Sequence, residues 1–163
     1  MIHNNNWIEN PSFYQFTLCL LFNRDQVLMI ERKKETNIGL WNGVGGHIEP
    51  GESPLGSFLR EVVEETGIHL SSLHFGGVLT WESWSHPPGG MYLFSQSLSD
   101  PAFVNSDEGL LAWKPVGWVM TSNQVVANIP DFLPDMKQEN LPIRYHCVFN
   151  GDLLLETKRT SLP

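Results

Sequence analysis

Hydrophobic and polar residues fall into short blocks along this chain, punctuated by Gly, Pro, Asn and Asp. From Phe13 to Phe22 the run is aromatic and β-rich, and Gln26 to Glu31 reads as a second strand. Asn23-Arg24-Asp25 between them supplies turn chemistry, so a hairpin is predicted. Arg32 to Leu40 is polar and reads as loop. Trp41 to Pro50 contains Gly43, Gly45 and Gly46, the composition of a strand followed by an unusual backbone path. Ser53 is a good N-cap and Pro54 suits a first helical position. Leu55, Phe58, Leu59, Val62 and Thr66 then recur at helical spacing, with Gly67 as a C-terminal stop. Strands are predicted over Leu73 to Glu82, Met91 to Leu98 and Leu110 to Trp113, with a turn-rich loop from Ser83 to Gly90. Asn123 to Lys137 is patchily helical, with Pro130 opening a turn. Ile143 to Phe149 and Asp152 to Thr157 flank Asn150-Gly151, a strong hairpin signal. These elements add up to an α+β chain, an α/β/α sandwich built on a mixed sheet.

Composition narrows the function classes. The 163 residues show no repeat, linker or low-complexity block, so one domain over residues 1–163 is expected. Ten Lys and Arg against 18 Asp and Glu give a net charge of −8. That excludes a general binder of duplex DNA or RNA, which needs cationic surface to displace counterions. Small anions remain open if a metal ion brings positive charge. Cys19 and Cys147 sit in apolar runs without a CxxC partner, as buried free thiols in a reducing cytoplasm do. Met1 to Asn6 lacks the basic start and apolar stretch of a signal peptide. The longest apolar run, around Phe16 to Phe22, is too short to span a bilayer, so no membrane partner is expected.

The strongest chemistry lies in the Ser53 helix. Residues 46–68 carry Glu49, Glu52, Glu61, Glu64 and Glu65 against one Arg60, a local charge of −4. At 100° per residue, Glu61, Glu64 and Glu65 share about a third of the helix circumference. The apolar set points elsewhere, so these carboxylates are expected on the exposed face. Glu61 and Glu65 form a like-charge i,i+4 pair that is unfavourable in isolation. A hard divalent cation such as Mg²⁺ or Mn²⁺ turns that repulsion into binding. Glu52 precedes the helix and can fold back, while Arg60 can orient neighbouring carboxylates. A merely solvated acidic face is the plain alternative, and spacing decides against it. Gly46, Glu52, Arg60-Glu61-Val62, Glu64-Glu65 and Gly67-Ile68 fix seven identities and two apolar positions. Chance would produce that on the order of once in 10⁷ to 10⁸ such chains.

The array resembles the Nudix box without a departure. The resemblance implies the Nudix α/β/α sandwich and Mg²⁺- or Mn²⁺-dependent hydrolysis of a nucleoside diphosphate linked to another group. Upstream, Trp41-Asn42-Gly43-Val44-Gly45-Gly46 is similar to a stretch of the MutT-like enzymes that hydrolyse oxidised purine nucleoside triphosphates. On that likeness Asn42 reads the purine edge, and Asp131 resembles a second base-reading residue. Glu108, in the loop before the Leu110 strand, matches an acidic residue that approaches the metal from outside the box. The implied metal set is Glu61, Glu64, Glu65, Glu108 and the main-chain carbonyl of Gly45. Glu61 or Glu108 would take the proton from the attacking water, and Arg32 could touch a triphosphate. The implied products are a nucleoside monophosphate, with 8-oxo-dGTP as the leading substrate, and pyrophosphate.

Departures and rivals belong to the same reading. His47 stands where a lysine is common, and the Trp81 to Gly90 loop has no counterpart in that pattern. His74, His86 and His146 show no ligand spacing. Trp41, Trp81, Trp84 and Trp113 could stack on a base or fill the core. ADP-ribose, NADH, a dinucleoside polyphosphate or capped RNA are rival substrates, although the proline of many ADP-ribose enzymes and the array of the NADH enzymes are missing. A nucleotide sensor without catalysis is the rival from another class, and it usually loses box carboxylates that this chain keeps.

Overall fold

The computed structural model describes residues 14–33, 37–84, 86–99, 101–105 and 107–162. Among the described residues, nine strands form one mixed sheet: β1 Tyr14–Asn23, β2 Gln26–Arg32, β3 Trp41–Asn42, β4 Val44–His47, β5 His74–Ser83, β6 Gly89–Ser97, β7 Gly109–Pro115, β8 Ile143–Asn150 and β9 Leu153–Ser161. The helices described are α1 Pro54–Thr66, α2 Val116–Thr121 and α3 Ile129–Lys137. The main path runs β3-β2-β1-β6-β5-β8-β9, with β4 added on β1 and β7 on β2. The β1·β6 and β5·β8 pairs are parallel and the rest antiparallel, as a mixed sheet requires.

The first hairpin forms as its turn chemistry predicts, but it stays closed only at Phe22↔Val27 and Asn23↔Gln26. Beyond that the strands part. β1 takes β4 as a partner from Phe16↔His47 to Cys19↔Val44, while β2 zips along all of β7. This splaying brings β4 into the sheet directly before the acidic helix. Alternate residues of β1 feed two cores. Leu18, Leu20 and Phe22 pack with Ile129, Phe132, Leu133 and Met136 of α3, whereas Cys19 and Leu21 pack with Phe58 and Val62 of α1. Helices thus cover both faces, and the α+β sandwich is present.

Some local expectations change. α2 was not expected from the pattern, because Val116–Thr121 is short and follows Pro115 without a side-chain cap. Leu55 is exposed rather than part of the buried stripe, since it lies in the first turn before α1 meets the sheet. The last hairpin closes one residue later than the Asn-Gly signal suggests. Asn150 pairs with Leu153, so the two-residue loop is Gly151-Asp152, with Gly151 at φ +58°. Cys19 and Cys147 are both buried free thiols. Among the described residues, no helix is long and apolar enough to cross a membrane.

Candidate metal and phosphate site

α1 begins and ends as its sequence directs. The Ser53 hydroxyl accepts from the Gly56 N–H at 2.9 Å, and Gly67 closes the helix at φ +74° with its N–H on the Val63 carbonyl. The preceding strand is fitted tightly to β1. Gly45 has φ +153°, and a Cβ there would run into the Thr17 carbonyl, so this position needs glycine. The close approach sets Gly45 and Gly46 against α1.

Arg60 organises the carboxylates. Its Nε donates to Glu52 Oε2 at 2.7 Å and its Nη2 to Glu52 Oε1 at 2.8 Å, a bidentate pair. Nη1 donates to Glu61 and Glu64, each at 3.0 Å, and Nη2 also reaches the His47 carbonyl at 3.1 Å. Glu52 Oε1 in turn accepts from the Glu49 N–H at 2.8 Å. The guanidinium therefore staples the loop after β4 to the first turns of α1. The hydrogen bonds from Arg60 hold the Glu52 carboxyl down at about 2.

The glutamates are not equivalent. The expectation that all three lie exposed fails for Glu65, which is 4% exposed, because α1 turns that edge into β4 and the sheet. Its Oε1 receives a long hydrogen bond of 3.4 Å from the Gly45 N–H, and its Oε2 is buried without a hydrogen-bond partner among the described residues. Burial, reinforced by the charge of Glu61, pushes its pKa up to about 8. Burial also raises Glu61, partly offset by Arg60. The side chain of Glu64 is 57% exposed.

A cavity of about 430 Å³ opens over this group. Arg32, Gly45, Gly46, Glu61, Glu64, Glu65 and Glu108 line it, so residues expected from four separate segments meet at one place. His47, Glu49 and Arg60 also line it, and so does Asp107, which the sequence reading passed over for its neighbour Glu108. Its signal was the adjacent acidic pair before β7. Among the described residues, no three His, Cys, Asp or Glu side chains gather closely enough to enclose a metal ion. The reason is visible in Arg60, which draws Glu61 and Glu64 onto its own Nη1. The donor set nonetheless suits a hard cation. It is all oxygen, it repels itself, and one buried carboxylate oxygen lacks a hydrogen-bond donor.

The two candidate base readers lie outside the cavity lining. Asn42 is half-buried on β3, with its Oδ1 accepting from the Gly43 N–H at 2.8 Å. Asp131, in the first turn of α3, accepts from the Thr157 hydroxyl at 2.6 Å. β3 is nevertheless tied toward α3, since Trp41 bridges to Val125 and its main chain bonds Gln124 and Val126. Trp41 itself is core, with Lys114 Nζ 4.3 Å from its ring centroid. The His47 ring, exposed at the cavity mouth, lies 4.3 Å from Phe16, which lies 5.8 Å from Trp81. His146 bonds Thr80 and His74 bonds a main-chain carbonyl, both away from the cavity.

The NUDIX domain model matches residues 15–138, which contain every lining residue of the cavity. An oxidized purine nucleoside triphosphate hydrolase of Danio rerio is 35% identical over 143 residues, 87% of this chain and 91% of that protein. The enzyme of the same description from Mus musculus is 33% identical over 72 residues, 44% of this chain, and the match spans only 46% of the mouse protein. Among solved structures, a MutT protein from Bacillus halodurans superposes with a TM-score of 0.75 at 24% identity, covering 88% of this chain and 95% of that one, a likeness of fold.

Proposed function

The chain belongs to the Nudix hydrolase family, and from that premise we propose that it cleaves a nucleoside triphosphate to the monophosphate and pyrophosphate. The observation that carries this reading is Glu65, a buried carboxylate with one oxygen that has no hydrogen-bond partner among the described residues, in a cavity rich in carboxylates. Such a group has a physical reason to exist if a cation completes it. Members of the family generally use divalent ions, and Mg²⁺ or Mn²⁺ is the fit for these ligands. Glu61, Glu64, Glu65 and Glu108, with the main-chain carbonyl of Gly45, would hold it. The bound cation supplies positive charge for the phosphates and lowers the pKa of a water.

The remaining work falls to the chain. Glu61 or Glu108 takes the proton of the attacking water; burial raises the Glu61 carboxyl above the usual carboxylate range. Arg60, held by Glu52, orients Glu61 and Glu64 through its Nη1. Arg32, at the cavity wall, meets the outer phosphates. Asn42 turns its Nδ2 hydrogens to a purine edge while Oδ1 stays on Gly43, and Asp131 lends a second polar group from α3. An oxidised purine nucleotide such as 8-oxo-dGTP is the substrate favoured by the Trp-Asn-Gly stretch and by the Danio rerio relative. The two buried thiols suit a cytoplasmic setting.

A substrate screen tests the proposal. The purified protein is assayed with Mg²⁺ or Mn²⁺ against nucleoside triphosphates, oxidised purine nucleotides, ADP-ribose, NADH and capped RNA. Phosphate is read with and without added pyrophosphatase. Phosphate that appears from a triphosphate only with pyrophosphatase supports it; turnover confined to the other substrates overturns it.

A further inference from the structure

We propose that Thr157 is a positioning residue for Asp131: its hydroxyl holds one carboxylate oxygen so that the other is presented, as an acceptor, to an N–H on the edge of the bound base. The inference rests on the triphosphatase reading, with Asp131 as a base reader, and adds the β9 residue that acts through it. Thr157 Oγ1 donates to Asp131 Oδ2 at 2.6 Å. The same Oγ1 lies 3.6 Å from Cys147 Sγ. A hydroxyl has one proton to give. With that proton on Asp131, Thr157 can only accept from Cys147, whose thiol is raised by burial and so keeps its own proton at neutral pH. The β-branched side chain has few rotamers in which to leave this bond. Asp131 Oδ1 is left for the ligand.

The helix that carries Asp131 does not need this bond to stay docked. Ile129, Phe132, Leu133 and Met136 of α3 are buried in the core. One turn beyond Asp131, the Asp135 Oδ2 accepts from the Tyr145 hydroxyl at 2.6 Å and from Arg159 Nη2 at 2.7 Å. Four helical residues from Asp131 to Asp135 rise about 6 Å. Two strand residues from Thr157 to Arg159 rise about 6.6 Å, nearly the same step. α3 therefore lies in register beside β9. Asp135 fastens the helix, which leaves Thr157 to set the Asp131 side chain.

The sheet connects this pair to the acidic cavity. Thr157 pairs with Cys147 across β8 and β9, and Cys147 with Trp81 across β5 and β8. The Trp81 ring lies 5.8 Å from Phe16, which lies 4.3 Å from His47 in the cavity lining. An ionised Asp131 only accepts hydrogen bonds, so a base that offers an N–H at Oδ1 is preferred. A base with lone pairs alone on that edge meets the carboxylate with acceptor against acceptor and is refused.

Steady-state hydrolysis of 8-oxo-dGTP with saturating Mg²⁺ tests this on the full chain. Thr157→Val keeps the shape and removes the hydroxyl, so KM should rise about tenfold, the loss of one hydrogen bond to a charged group. Turnover at the phosphates should stay within about twofold in kcat, with circular dichroism unchanged. Thr157→Ala is a second hydroxyl deletion with the same expected result. Thr157→Ser keeps the donor and should return KM to within about twofold of wild type. In an Asp131→Asn background, Thr157→Val should raise KM no further, because it acts through the carboxylate. Folded deletions with wild-type KM, a serine variant no better than valine, or a full valine effect on Asp131→Asn each overturn the inference and leave the triphosphatase reading standing. A wild type that hydrolyses no nucleoside triphosphate sinks that reading instead. Calorimetric Kd values for 8-oxo-dGMP in the same variants then replace KM, and a wild type that does not bind it overturns this inference as well.

Discussion

The bare Cα of Gly46 lies against the Glu61 carboxylate, so close that an added Cβ would stand 2.6 Å from Oε1 and 2.7 Å from the carboxyl carbon. Because the obstructing atoms end a flexible side chain, Gly46→Ala should push Glu61 aside rather than break the fold. We expect stability to change by less than about 1 kcal/mol. We expect kcat to fall at least tenfold, about 1.4 kcal/mol in the barrier. Thermal melts and initial rates on the same preparation check the pair of outcomes. Unchanged turnover would mean that Glu61 does not need its position.

Without divalent metal, the buried Glu65 should make stability fall as pH rises. Its carboxyl moves from 4.5 to about 8 on folding. Below the lower value both states are protonated and the contribution is fully present. Between the two, the unfolded chain releases the proton that the folded chain keeps, so stability declines until pH passes about 8. Glu52, held at about 2, acts with the opposite sign and in a lower window, losing its contribution as pH falls. Millimolar Mg²⁺ or Mn²⁺ should stabilise the fold by RT ln(1 + [M]/Kd) and raise Tm accordingly, most strongly at the alkaline end where protons no longer compete. Melting curves across pH, with and without metal, read both effects; a metal-independent Tm would count against a preformed site.

Arg60→Lys should be costly despite keeping the charge. A lysine ammonium is a point donor and cannot span Glu52, Glu61, Glu64 and the His47 carbonyl as the guanidinium does. Loss of charge-assisted hydrogen bonds should reduce stability by roughly 1.5–3 kcal/mol, measured by urea denaturation. A neutral result would mean the hub is mere surface pairing.

The readable parts of this molecule were those coded by local chemistry. Ser53, Pro54 and Gly67 mark α1 because capping is local, and the glutamate spacing names the cavity because one helix carries most of it. Glu65 was read on the wrong face. Helical periodicity ranks it with Glu61, and only the docking of α1 on β4 shows that this edge goes inward. α2 escaped because six residues hold no full period of apolar repeats and no cap. The parting of β1 from β2 was equally illegible, since it depends on β4 and β7 arriving from distant segments. Asp107 entered the cavity for the same reason, by the pairing of β7 with β2.

Asn42→Ala should alter which base is accepted more than it alters phosphate chemistry. The side chain stands on β3, outside the acidic lining, and its Oδ1 accepts from the adjacent Gly43 N–H. Losing hydrogen bonds to a preferred base should cost about 1–3 kcal/mol in kcat/KM. The comparison is 8-oxo-dGTP against dGTP and dCTP, in wild type and variant. An equal fall on all three would assign Asn42 to the turn with Gly43 instead.

Glu65→Gln, measured by steady-state hydrolysis with saturating Mg²⁺, reaches the central claim most directly. The substitution keeps the shape of a buried side chain and removes its ability to ionise, so circular dichroism and the melting transition should still report a folded protein. If the acidic cavity holds the catalytic cation, kcat should fall well beyond tenfold and the metal-induced rise in Tm should shrink with it. A folded variant that keeps more than about a tenth of wild-type kcat, a barrier change under 1.4 kcal/mol, would contradict the account.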